Sequence, residues 1–224
     1  MSRLTAEWQR LFQLSPDNAA LMSPDGHSRV LVIALTGPQA WPACAAIWER
    51  AQSEFGWPAP AIAVNGHTGY QLWFSVKQPA PAAVAHAWAQ RLASLAHDLI
   101  DPTCIQIHPS SPEPTAHTPD WIQAIPMQQG EHEHWSAFVT RDLAPVFQDT
   151  PWLDIPPNPD GQADLLAALT CIDALPPLKV AEASGSQPDR QTTPKQFLLQ
   201  VMHDPSAPLA LRIEAAKALL PYSS

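Results

Sequence analysis

Basic residues are scarce in this chain. Only 12 Lys and Arg stand against 21 Asp and Glu in 224 residues, a formal net charge of −9. Between Leu92 and Leu178 the sole Lys or Arg is Arg141. Broad, sequence-independent binding to a phosphate backbone draws on many cations releasing counterions, so the charge argues against that mode and any binding of nucleic acid is expected to be weak. Cysteine is nearly absent: Cys44, Cys104 and Cys171 lie far apart and form no CxxC pair, which suits reduced thiols in a reducing cytoplasm. No run approaches the roughly 20 apolar residues that cross a bilayer. The opening MSRLTAEWQRLFQLS carries charges throughout and has no apolar core segment, so no secretory signal is expected. These absences predict a cytoplasmic protein without membrane contact. Several chemistries lack their signatures as well: no GxSxG elbow, no HExxH, and no GKS or GKT after a glycine-rich turn.

What the chain does contain is material for a core, with 46% hydrophobic residues and nine Trp, and 26 Pro that stiffen its connections. Its centre is AIAVNGHTGYQLWFSV, from Ala61 to Val76. Two alternating runs, Ala61 to Val64 and Tyr70 to Val76, flank a segment with Gly66 and Gly69, the pattern of a β-hairpin. Before it, RVLVIAL (Arg29 to Leu35) reads as a central strand apolar on both faces, and about Pro38 to Phe55 as a helix with Trp41, Ala45, Trp48 and Gln52 on one face. After it, about Ala82 to Leu99 reads as a helix with a buried stripe of Val84, Trp88, Leu92 and Leu95, and Cys104 to His108 as a short strand. The order β-α-β-β-α-β predicts an α+β protein with a ferredoxin-like or RNA-recognition-motif-like plait.

Around this core the reading is coarser. Leu4 to Leu14 forms a short amphipathic helix, with Trp8, Leu11 and Phe12 at helical spacing. Pro109 to Gly130 reads as a long surface loop, and Trp135 to Thr140 as a strand added to a sheet edge. Asp142 to Leu166 is an irregular Pro-rich extension pinned by Phe147, Trp152, Leu153 and Ile155, and helix resumes from Gly161 to about Ile172. Residues 1–180 then make one α+β domain, 181–193 a linker of SGSQPDRQTT composition, and 194–224 a C-terminal helical hairpin.

Candidate sites are few. NGHTG, Asn65 to Gly69, either cradles an anion through backbone N–H groups or is a plain hairpin turn whose glycines supply positive φ. Strand alternation places Tyr70, Leu72 and Phe74 on one face and Gln71 and Trp73 on the other, so Trp73 either stacks on bases at an open sheet face or is covered by the rest of the chain. Ligand contacts are therefore expected, if anywhere, at Asn65, His67, Tyr70 and Trp73. EHEH, Glu131 to His134, with His108 and His117, could supply imidazoles and carboxylates but lacks zinc-site spacing and reads as a polar loop. Asp154, Asp160 and Asp164 read as turn formers and caps rather than as paired acid–base carboxylates. No catalytic residue, metal ligand or cofactor is assigned.

Two resemblances add to this. The β-branched strand, the Trp-bearing helix, and GYQLWFSV and IQIHP in their order resemble the core of the archaeo-eukaryotic primase-polymerase superfamily over about 29–109. That resemblance implies an acidic pair on the first strand, a His after the Gly-rich turn and an acidic residue on the last strand. Ile33, Ala34 and Leu35, then Gln71, then Gln106 stand there instead, and none supplies the hard charged oxygens that metal-assisted phosphoryl transfer needs. The implied relative is degenerate. The tail TPKQFLLQVMHDPSAPLALRIEAAKALLPY is similar to one seen in phage small terminase subunits. Its two apolar stripes, carrying Phe197 and Val201 on one helix and accompanied by Arg212 and Lys217 on the other, imply a protein partner.

The expected function is a non-catalytic adaptor or binding protein of mobile-element or prophage type, linked to DNA replication or packaging. The alternatives are a nucleic-acid or nucleotide binder using the sheet face, and a divergent nucleotidyl transferase with metal ligands such as Asp98, Asp101 or Glu113.

Overall fold

The segment that reads as a central strand is one: β1, His27–Thr36, is buried from Val30 to Leu35. It is flanked by α1 (Arg3–Phe12) and α2 (Ala40–Phe55), and followed by β2 (Ala61–Val64), β3 (Gly69–Pro81), α3 (Ala82–Ser94) and β4 (Ile105–His108). Short strands β5 (Gln128–Gln129), β6 (His134–Trp135) and β7 (Ala137–Val139) precede the last helix, α4 (Pro159–Ala167). These come from a computed structural model that describes residues 1–14, 20–110, 122–129, 133–178 and Lys217. The chain divides into two compact units, Met1–Leu178 and Lys179–Ser224. Of the second only Lys217 is described, helical and exposed. The expectations for Phe197, Val201, Arg212, the linker and the helical hairpin lie outside the described residues, as do Glu113, His117, Glu131 and His132.

The protein is α+β. Its main sheet has the order β4-β1-β3-β2-β7 with every neighbouring pair antiparallel. β5 and β6 form a separate two-stranded ribbon.

Both faces of the sheet are covered, by different elements. On one side Leu31, Ile33, Leu35, Tyr70, Leu72 and Phe74 join the buried faces of α2 and α3 in one apolar cluster. The buried stripe of α2 is Ala40, Ala43, Cys44, Ile47 and Ala51, with Trp41 at its margin. Ala45, Trp48 and Gln52, which the spacing also groups with Trp41, are only half-buried. On α3 the buried residues are Ala82, Ala85, Trp88, Ala89, Leu92 and Ala93, not Val84 and Leu95. In both helices alanines, small enough to let the axis approach the sheet, define the contact, while the larger side chains close its edges.

The other side holds Val30, Val32, Ala61, Ala63 and Trp73, packed against Leu11 and Phe12 of α1, Leu166 of α4 and Phe138 of β7. Trp73 is 1% exposed, with ring centroids of Trp8 and Phe12 each 5.2 Å away. Arginines close the ends of the covering helices. Arg10 donates to the carbonyls of Leu166 and Leu169 at the end of α4, and Arg29 donates to those of Arg10 and Gln13 at the end of α1. Such terminal carbonyls lack helical partners and carry the negative end of the helix dipole.

Three local expectations are corrected. The stretch after β4 is not all surface, since Ile122 and Ile125 are buried against the α1 side of the core. Ile155 is 70% exposed and pins nothing, whereas Phe147 and Leu153 pack on the core. Helix α4 stops at Ala167, and Ile172 instead forms a parallel bridge with Val76. No helix among the described residues is long and apolar enough to cross a membrane.

Candidate functional site

Strand register brings three chosen positions side by side. Ala34 on β1 lies opposite Gln71 of β3 on one side and Gln106 of β4 on the other. In the next row along the sheet, His108, Val32, Trp73 and Ala61, the last three belong to the cluster that α1 covers. At Ala34 that cover ends. There a cleft of about 310 Å³ opens, floored by Ala34, Gln71 and Gln106 and walled by Asn65, His67 and Thr68 of the β2–β3 turn. Thr36, Gln123, Ile125 and Gln129 are among its other lining residues.

The turn itself is closed by its own side chain. Asn65 Oδ1 accepts from the backbone N–H groups of His67, Thr68 and Gly69, at 2.9, 2.8 and 3.0 Å. The N–H of Asn65 donates to Gly69 O and that of Gly66 to Pro151 O. Every backbone donor from Asn65 to Gly69 is thus used, and the anion cradle is overturned by hydrogen-bond accounting. Gly66 is needed for its φ of 79°. Gly69 serves differently: a Cβ there would overlap the carbonyl oxygen of Leu35, so the residue is required by close strand approach rather than by φ.

Gln71 is 5% exposed, in the buried part of β3 from Gly69 to Val76, where Ser75 is the other aliphatic polar side chain. Its Oε1 accepts from the Trp73 indole N–H at 3.0 Å. Because indole can only donate, this bond fixes which end of the carboxamide faces the ring. The Nε2 end belongs to the cleft, and no described group accepts from it.

Tyr70 and Trp73 are not available for base stacking. Tyr70 is on the opposite face, 1% exposed, with its hydroxyl donating to Ala144 O at 2.8 Å and burial pushing its phenol up. Trp73 lies under α1. Of the four expected ligand residues, the structure brings Asn65 and His67 to the cleft and buries the other two. Gln71, which stands where the resemblance implies a His, and Gln106, where it implies an acid, belong to the site. Gln123 and Gln129 were missed, because nothing in a Pro-rich stretch marks them until the chain folds back. Gln71 had a readable signal: the one amide in the run Tyr70 to Val76, in phase with Trp73.

Charge is as informative as shape. Among the described residues, none lining this cleft is Asp, Glu, Lys or Arg. Asp101 instead caps the 3-10 turn before β4, accepting from Thr103 N and Thr103 Oγ1, which hold its carboxyl below the usual range. Asp160 follows the α4 N-cap Asn158, Asp164 pairs with Arg3 at 2.6 Å, and Asp154 accepts from the Trp152 indole. Of the EHEH stretch, His134 stacks on Trp152 with centroids 4.4 Å apart. No group of three or more His, Cys, Asp or Glu among the described residues is placed to hold a metal ion. His108 is buried on the Val32 row with neither ring nitrogen hydrogen-bonded, and desolvation pushes its pKa down to about 4.

Compared with known proteins, the chain matches no family model and no curated sequence.

Proposed function

We propose that this protein is a non-catalytic binding protein of the adaptor kind, built on a ferredoxin-like plait of degenerate primase-polymerase type. The observation that carries the reading is the row Gln106, Ala34, Gln71, adjacent across three strands at the head of an accessible cleft. A methyl group at Ala34 and an amide at Gln106 occupy positions where the resemblance implies metal-holding acids, an amide at Gln71 stands where it implies a His, and amides are poor substitutes for carboxylates as ligands of a hard divalent cation. The strand order β4-β1-β3-β2 and the element order around it support the plait. The adaptor role, of mobile-element type and linked to DNA replication or packaging, rests on the terminase-like tail, with Phe197, Val201, Arg212 and Lys217 toward a protein partner.

The test pairs two measurements. Primer synthesis and extension with Mg²⁺ or Mn²⁺ are expected to be absent. A partner captured by the full chain is expected to be lost when everything after Ser184 is deleted. Metal-dependent extension would return the protein to the nucleotidyl transferases. Capture that survives the deletion would move the adaptor surface to the first unit. A second reading, a binder of nucleotide or nucleic acid through the sheet face, is favoured by the cleft itself, and its ligand chemistry is taken up next.

A further inference from the structure

The chemistry of the cleft wall narrows what it can hold. Five carboxamides, Asn65, Gln71, Gln106, Gln123 and Gln129, surround it, and its described lining has no formal charge. A phosphate or carboxylate brought there would lose water without meeting a Lys or Arg among the described lining residues, which is unfavourable. A purely apolar ligand would strand the amides. The complement of a carboxamide is another amide edge, since the two meet through a paired N–H···O and O···H–N contact.

Two of the five have their orientation fixed. Trp73 holds the Gln71 oxygen, and the turn N–H groups hold the Asn65 oxygen, so the free end of each is an NH₂ donor. Fixed donors ask for a carbonyl. Thr36 adds an acceptor, its hydroxyl proton being directed to Cys104 O at 3.3 Å. Gln106 and Gln123 are exposed and free to turn either end inward. The floor at Ala34 is a single methyl group, leaving room for a flat ring, and 310 Å³ is at the small end of ligand sites, which run from about 300 to 1,000 Å³.

We propose that this cleft binds an uncharged planar ring bearing a lactam edge, the –NH–C=O pair of a uracil-type or oxopurine-type nucleobase, with Gln71 Nε2 donating to its carbonyl. The proposal rests on the second reading, in which the protein binds a nucleotide or nucleic acid at this cleft. Recognition goes to the base edge, and a phosphate ester of the same nucleoside gains nothing from the site. The base is either that of a free nucleoside or one splayed from a single strand.

The experiment uses the full chain with uridine and inosine, N3-methyluridine as the lactam-blocked control, UMP, and a short oligothymidylate. Binding is read by calorimetry and by the NMR signal of the Trp73 indole N–H, which reports on Gln71 through their hydrogen bond. Uridine or inosine is expected to bind and to move that signal, with N3-methyluridine at least tenfold weaker and UMP no tighter than uridine. Gln71→Glu keeps an acceptor for Trp73 while removing the NH₂ donor, and is expected to weaken uridine at least tenfold. Gln106→Ala, at an exposed position, checks the same wall if the first variant fails to fold, and is expected to weaken it severalfold. Nucleoside binding equal to or tighter than oligothymidylate assigns a free ligand, and oligothymidylate at least tenfold tighter assigns a strand, both supporting the lactam chemistry.

No binding by any lactam compound, equal binding of the methylated control, or a requirement for phosphate would overturn it. Metal-dependent extension together with lactam selectivity would sink the non-catalytic reading while leaving this one standing.

Discussion

His108 and Asn65 are the two residues whose environments most constrain the protein's behaviour. His108 sits in the sheet without a hydrogen-bond partner, its pKa lowered from an ordinary 6.5 to about 4 by desolvation alone. The folded state therefore holds the ring neutral where the unfolded chain already binds a proton. Stability is unaffected by this group above about pH 6.5 and falls as pH drops toward 4, by up to about 3 kcal/mol in all. Urea midpoints at pH 7 and pH 4.5 are expected to differ accordingly, and His108→Leu is expected to flatten that difference. Equal acid sensitivity in the variant would place the titration elsewhere. Asn65→Ala removes the acceptor of three turn N–H groups, and is expected to cost about 2–3 kcal/mol and to widen the cleft entrance. Asn65→Asp keeps the acceptor and is expected to recover most of that loss in the same unfolding assay.

Elements in this protein are finished by side chains from other elements. β7 is the sheet edge, and the unpaired N–H and C=O of Phe138 would be open to another chain. Gln162 of α4, 6% exposed, occupies both: its Oε1 accepts from Phe138 N at 2.7 Å and its Nε2 donates to Phe138 O at 3.0 Å. One carboxamide thus stands in for a sixth strand. Gln162→Leu keeps the bulk but strands both groups, for an expected loss of roughly 2–4 kcal/mol. Light scattering is expected to show concentration-dependent self-association absent from the parent. A monomeric variant of unchanged stability would mean that water replaces the amide without cost. Helix α1 does equivalent service for the face, and Phe12→Ala is expected to cost about 3–5 kcal/mol and shift tryptophan emission to the red as water reaches Trp73.

At the scale of the molecule, the first unit carries two apolar clusters, one on each side of a shared sheet, and both are drawn from residues up to Leu178. A chain ending at Leu178 is therefore expected to unfold in one cooperative urea transition that tryptophan fluorescence and far-ultraviolet dichroism report together. Non-coincident transitions would show that the two faces are held independently. The cleft at Ala34, Gln71 and Gln106 adjoins the apolar cluster that α1 covers, and Ala34, though buried, is not part of that cluster.

Period-two alternation around a glycine turn, and helical runs between β-branched ones, were enough to order β1 to β4 with α2 and α3 from residues alone. Local pattern records how each segment buries its own faces. It also placed Gln71 in phase with Trp73, and Gln106 on the last strand. Which face was open was beyond it. Trp73 presents the same alternation whether it meets a base or Phe12, and only the packing of α1 and α4 decides between them. The carboxamide wall has the same origin: Asn65, Gln106 and Gln123 come from separate turns and strands, and no periodicity relates residues that meet solely because the chain folds back. Nor could sequence show that Asn65 consumes the donors of its own turn, since that depends on the three-dimensional path of five consecutive backbone groups.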